Sequence, residues 1–266
     1  MVKQLSDSDT AILQHVAQYR LTLPSLLAKA GIVPNEDVSA AAAALRDLVS
    51  NGWLARSPLS PGHSEEFYFH LAPRGAEYLR HDPEMGIALP RELRIESFAI
   101  ATYCLDQIEN RILLTKSEFK EQFQQLWLAG QPVRYCLERD DAGATRLAFL
   151  KVERDDAGHW ARVIDACERF LAKRIDTKRI AADHRPQAAA FDALVKRGQF
   201  TFTVLVALAE KKRAIEIELE LRAGAGETVP PIQVHVVPGL FELLYPEFAH
   251  AIGDRASQGE TGASEK

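Results

Sequence analysis

The stretch VSAAAAALRDLVSNGWLARSPL, Val38 to Leu59, constrains the fold of this chain more than any other. Val38, Ala41 or Ala42, Leu45, Leu48 and Val49 recur at helical spacing and form one apolar stripe. The helix begins near Glu36 or Asp37. Asn51-Gly52 stops it with a backbone turn that favours positive φ. Trp53–Arg56 then follows at once as a strand. What flanks this junction decides what kind of domain it belongs to.

Upstream, LSDSDTAILQHVAQY predicts a helix capped by Ser6 or Ser8, with Asp7 and Asp9 at its positive end. Its apolar face is Ile12, Leu13, Val16 and Ala17. Pro24 opens a second, short helix with Leu26, Leu27 and Ala30 inward, and Gly31 ends it. Downstream, Ser57 to Glu65 holds Pro58, Pro61 and Gly62 and reads as a loop. Glu66–Leu71 is a second strand, and Pro73 opens a further helix through Gly75, Tyr78 and Leu79. Three helices followed by a β-hairpin, with Leu45-x-x-Leu48-x-x-x-Gly52-x-Leu54 and Leu71-x-Pro73-x-Gly75, resemble a winged helix-turn-helix domain.

That resemblance implies a helix laid along double-stranded DNA. Base reading needs donors and acceptors, and Ala40 to Ala44 offer only methyl groups. The implied contacts are Asn35, Ser39, Ala40, Ala43, Ala44 and Arg46 from the helix, and Arg56, Ser57, Ser60, His63 and Ser64 from the wing. Phosphates would be held by Lys29, Arg46 and Arg56 together with the free N–H groups of the third helix. The rival expectation is a protein-interaction module whose alanine face packs on a partner helix.

Composition bounds the rest. The chain has 266 residues, 47% apolar and 26% charged, enough for two folded domains. A net charge of -5 leaves any DNA contact to a local patch. Cys104, Cys136 and Cys167 lie at spacings that fit neither a zinc site nor a disulfide framework, so buried free thiols in a cytoplasmic protein are expected. The start MVKQLSDSD has no apolar signal region, and no apolar run is long enough to span a bilayer, so no membrane association is expected. The domain reading is a DNA-binding domain over residues 1–82, a Pro/Gly linker over 83–90, an α/β domain over 91–250 and a disordered tail over 251–266.

After the linker the reading is a helix from Glu92 to Asn110, a helical stretch from Lys116 to Leu126, and a hairpin of strands Val133–Glu138 and Arg146–Glu153. A helix from His159 to Lys173 follows, with Asp155 or Asp156 as its cap, then a helix from Ala188 to Lys196. Phe202–Leu208, a helix over Glu210–Leu221 and Ile232–Val237 make a parallel strand–helix–strand crossover. The basic run Lys173, Arg174, Lys178, Arg179 and Arg185 reads first as a solvated helix end and second as an anion patch.

This order resembles the core of restriction-endonuclease-like domains. Joined to an N-terminal winged helix it resembles the replication-relaxation family of plasmids and integrative elements, on the segments RLAFLKVERDD and TFTVLVALAEKKRAIEIELELR…IQVHVV. A nuclease of that kind needs carboxylates for Mg²⁺ and a lysine beside the attacking water. Here only Glu138, Lys151 and Glu153 offer such a set, in the reverse of the usual order. A catalytically degenerate domain for self-association or sensing is therefore expected. The expectation as a whole is a non-enzymatic DNA-binding regulator of a mobile element, a homodimer, with no cofactor or metal and with no effector identifiable. The alternative is a metal-dependent nuclease.

Overall fold

The computed structural model describes residues 4–60, 66–128, 133–140, 142–154, 160–175 and 182–247. The chain is mixed α and β with two sheets, and divides into two compact units. One holds residues 1–101 and 238–266, the other residues 102–237. The three cysteines are free and buried. Among the described residues no helix is long and apolar enough to cross a membrane.

In the first unit, Ser6 rather than Ser8 caps α1 (Asp7–Tyr19). The Ser6 hydroxyl accepts from the Asp9 N–H at 3.1 Å, and the Asp9 carboxylate accepts from the Ser6 N–H at 3.0 Å. α2 (Pro24–Lys29) starts on a proline whose missing N–H leaves nothing unsatisfied. α3 (Val38–Ser50) is capped by Asp37, and the turn at Gly52 has φ 73°. β1 (Leu54–Pro58) then pairs antiparallel with β2 (Phe67–Leu71), Leu54 opposite Leu71 and Pro58 opposite Phe67. Thr22 adds one rung, exchanging N–H···O bonds of 2.9 Å with Phe69 in both directions. Ile12, Leu13, Val16, Leu27, Leu45, Leu48, Leu54 and Leu71 form the core of this unit. Val38, read as part of the inward stripe, is instead 49% exposed, because it sits on the first turn, beyond the reach of that core.

α4 (Pro73–Tyr78) packs against the root of the hairpin so closely that a Cβ on Gly75 would overlap the Trp53 carbonyl oxygen. That oxygen cannot withdraw easily, since it accepts from the Ala72 N–H at 3.0 Å. Gly75→Ala is therefore expected to cost about 2 kcal/mol through overpacking. A thermal melt within a degree of the parent's would show that the backbone gives way more easily than this contact implies.

Residues 83–90 are not a linker. Pro83–Gly86 forms a 3₁₀ turn capped by Asp82, Met85 packs on the core, and Leu89 is buried. The Leu89 N–H donates to the Tyr68 hydroxyl at 2.8 Å. The physical reason lies in β2, where every residue from Tyr68 to Leu71 is buried. Phe69 and Leu71 face the core, so Tyr68 and His70 face the other way and need cover. Leu89, buried against Tyr68 through that bond, supplies part of it. α5 (Arg91–Asp106) follows, and the unit boundary falls after Ala101.

The second unit is a five-stranded sheet whose spatial order equals chain order. β3 (Arg111–Leu113) and β5 (Thr145–Val152) each pair antiparallel with β4 (Tyr135–Arg139), which lies between them. β6 (Phe200–Val206) and β7 (Ile232–Val236) continue parallel to β5. α6 (Lys116–Gln122) connects β3 to β4. α7 (Trp160–Ile175) and α8 (Arg185–Lys196) connect β5 to β6, and α9 (Ala209–Gly224) connects β6 to β7. The registers set Leu147, Phe149, Phe200, Phe202, Val204 and Val234 on one face, where they meet Phe119, Val163, Ile164, Phe191 and Ile215 of the four helices. Arg174, read as part of a solvated basic run, is buried there. Its guanidinium lies 4.7 Å from the Phe191 ring centroid and donates to the Leu126 carbonyl at 2.8 Å. Lys178 and Arg179, like Asp155 and Asp156 and the tail 251–266, lie outside the described residues. The chain then returns to the first unit, where α10 (Leu240–Leu244) buries Leu240, Leu243 and Leu244.

Candidate nucleic-acid interface

Five successive alanines cannot share a face of a helix, because each residue turns the direction by about 100°. In α3, Ala41 is buried at the core, Ala40 and Ala44 pack half-buried against it, and Ala43 alone of the five is exposed. The outward line is Ser39, Ala43, Arg46 and Ser50, spaced as one side of a helix. Of the residues named from the sequence, the structure brings Ser39, Ala43 and Arg46 together and turns Ala40 and Ala44 inward.

The N–H groups at the start of α3 are already in use. Asp37 Oδ1 accepts from the Ser39 N–H at 2.8 Å and from the Ala40 N–H at 3.2 Å. A phosphate there would meet the Asp37 carboxylate and the exposed Glu36 rather than unsatisfied donors. Asn35 is exposed with φ 60°, in the left-handed region that asparagine tolerates. Lys29 is exposed in the last turn of α2. Of the residues named from the sequence, the exposed cations are thus Lys29, Arg46 and Arg56, beside the exposed acids Glu36, Asp37 and Asp47. They balance, so the attraction for a polyanion is local and modest.

On the hairpin, neighbouring residues diverge. Arg56 is exposed and holds its guanidinium 4.9 Å from the Phe67 ring centroid. Ser57 turns the opposite way, its hydroxyl hydrogen-bonded to His70 Nε2 at 3.1 Å. Ser60 is buried, which removes it from any direct duplex contact. Polarity alone suggested exposure there, but Leu59 beside it is buried too and draws the strand end inward. His63 and Ser64 lie outside the described residues.

The second unit does not assemble the carboxylate–lysine set. Glu138 stands opposite Arg146 across β4 and β5, on the face with Thr203 and Gln233. Lys151 lies on the other, helix-covered face. It is also five residues along β5 from Arg146, about 16 Å at strand rise. Glu153 is bonded to Lys151 at 3.1 Å and lies 4.0 Å from the Lys211 Nζ. No group of three His, Cys, Asp or Glu side chains that could hold a metal occurs among the described residues.

Glu138 instead anchors a buried polar network that the sequence did not reveal. One carboxylate oxygen accepts from the Tyr103 and Thr203 hydroxyls, both at 2.8 Å. The other accepts from Arg146 Nε at 3.1 Å, and Arg146 also donates to the Gln233 amide oxygen at 2.6 Å. Burial first, and then the neighbouring Glu138 charge, push the Tyr103 hydroxyl well above the usual phenol range, so it stays a donor. Residues from α5, β4, β5, β6 and β7 meet in this network, and only the sheet register brings them together. Comparison with family models, with curated proteins and with solved structures yields no match for this chain.

Proposed function

We propose that the chain is a non-enzymatic DNA-binding regulator whose first unit is a winged helix that lies along a duplex through α3 and the β1–β2 hairpin. The observation that carries this reading is the exposed line Ser39, Ala43 and Arg46 on a helix that runs directly into a hairpin bearing an exposed arginine. Ser39 and Arg46 supply the polar contacts, Ala43 allows close approach, and Arg56 takes a phosphate. The reading supported for the second unit is a restriction-endonuclease-like core that serves self-association. In its favour are a sheet in chain order with an antiparallel start and a parallel end, and a Glu138 engaged in structural bonds. A dimer would double three modest phosphate contacts. The resemblance to replication-relaxation proteins of mobile elements belongs to this proposal.

The charge balance makes the reading quantitative. Three cations per protomer imply that log K falls with log salt at a slope of about -2.7 per bound protomer. Arg46→Ala is expected to flatten that slope by about 0.9, and Ala43→Arg to steepen it by as much. Fluorescence anisotropy with duplexes from upstream of its own gene measures both. Absence of binding to any of them at low salt, or an Ala43→Arg protein that loses self-association without gaining DNA affinity, would overturn the proposal in favour of a protein-interaction face.

A further inference from the structure

The first unit contains an apolar cleft of about 650 Å³, within the range that small-molecule sites occupy. Its walls include Phe67 and Phe69 of β2, Phe98 of α5 and Leu243 of α10, with Val38 exposed at its edge. Two features make it more than a gap in packing. Ser60 lines it, is 4% exposed, and its hydroxyl has no hydrogen-bond partner among the described residues. A buried hydroxyl left so is costly unless something in the cleft satisfies it. Moreover, the charged residues of the lining are two carboxylates, Glu66 and Glu242, both exposed at the rim, while the Arg56 guanidinium stands outside the lining, 4.9 Å from the Phe67 ring centroid.

We propose that this cleft binds an arylalkyl ammonium: an apolar, ring-bearing body with a protonated amine. The body fits among the three phenylalanines. The ammonium N–H donates to the Ser60 oxygen, and its charge is balanced by Glu66 and Glu242. Aromatic rings favour the same charge, and with the Phe67 ring engaged by Arg56 at 4.9 Å, Phe69 and Phe98 are the rings left to the ligand. A carboxylate ligand would be repelled by the two rim carboxylates, and a neutral one would gain nothing from them. Pro24 and Ser25 of α2, Val38 of α3 and Phe67 of the hairpin all border the cleft. If the regulator reading holds, on which this last step rests, the ammonium is an effector that sets the hairpin against α3.

Calorimetry of the full chain without DNA tests the site separately from that reading. The probes are diphenylpropylamine, diphenylpropanol and diphenylpropanoate, which share one body and differ in charge. The amine is expected to bind with saturable heat, the alcohol about ten-fold more weakly, and the propanoate without saturable heat. Ser60→Ala should weaken the amine about five-fold while the thermal melt stays at or above the parent's, since it deletes an unsatisfied group. Glu66→Gln combined with Glu242→Gln should erase the preference for the amine over the alcohol. No saturable heat with the amine, equal affinity for amine and propanoate, or variants that bind the amine as the parent does, would each overturn the assignment.

Discussion

Glu138→Ala is expected to destabilise the second unit by about 3–5 kcal/mol, the range for removing one partner of a buried ion-paired network. The carboxylate is 4% exposed and serves three donors at once. Without it the Thr203 hydroxyl, which is fully buried, and the nearly buried Tyr103 hydroxyl lose the acceptor they share. Arg146 is partly exposed and can turn to water, so most of the cost falls on the two hydroxyls. At this chain length such a loss lowers Tm by roughly 10 °C. The cost comes from stranded polar groups rather than from lost attraction, and this can be separated experimentally. Glu138→Leu together with Tyr103→Phe and Thr203→Val removes the donors with the acceptor, and should recover at least half of the lost Tm. A Glu138→Ala protein that melts within two degrees of the parent, or a triple variant that melts below the single one, would show that the network is not an energetic unit.

The same glutamate marks the limit of what a single sequence conveys. Parity along one strand is legible: Lys151 and Glu153 are two apart, share a side, and do meet at 3.1 Å. Parity between strands depends on register, which the hairpin of β4 and β5 sets by pairing Glu138 with Arg146. Lys151 thereby goes to the opposite face. β3 escaped notice for another reason, since three residues are too short to show a period of two. The long elements, whose apolar periods are strong, appear where their patterns place them, with ends moved by a few residues. Polarity misled at Ser60, and proline content misled at residues 83–90. At Ser60 the burial of Leu59 beside it decided the outcome, and at residues 83–90 it was cover for β2. The signal for the second was present in Leu89 and Met85, apolar residues that a free linker has no use for.

Acid should loosen the first unit at a pH that its carboxylates alone would tolerate. His15 is buried in α1, its Nε2 hydrogen-bonded to Thr22 Oγ1 at 3.0 Å and its ring 5.0 Å from that of Tyr19. Burial lowers its pKa from 6.5 to about 4. The unfolded chain therefore binds a proton at this site between pH 6.5 and pH 4 that the folded chain does not. By linkage, stability rises with pH across that window. His15 contributes fully above about 6.5, and on acidification through 6.5 its contribution falls away until pH 4. A difference of that size corresponds to roughly 3 kcal/mol. Burial lowers His70 as well, which adds to the same trend. The contribution of His15 is isolated by comparing urea unfolding of the parent and His15→Gln from pH 7 to pH 4. The parent should lose roughly 3 kcal/mol more than the variant, which has no proton to take up at this position. Parallel losses in the two proteins would mean that protonated His15 is accommodated in the fold, and that the bond to Thr22 holds it without regard to charge.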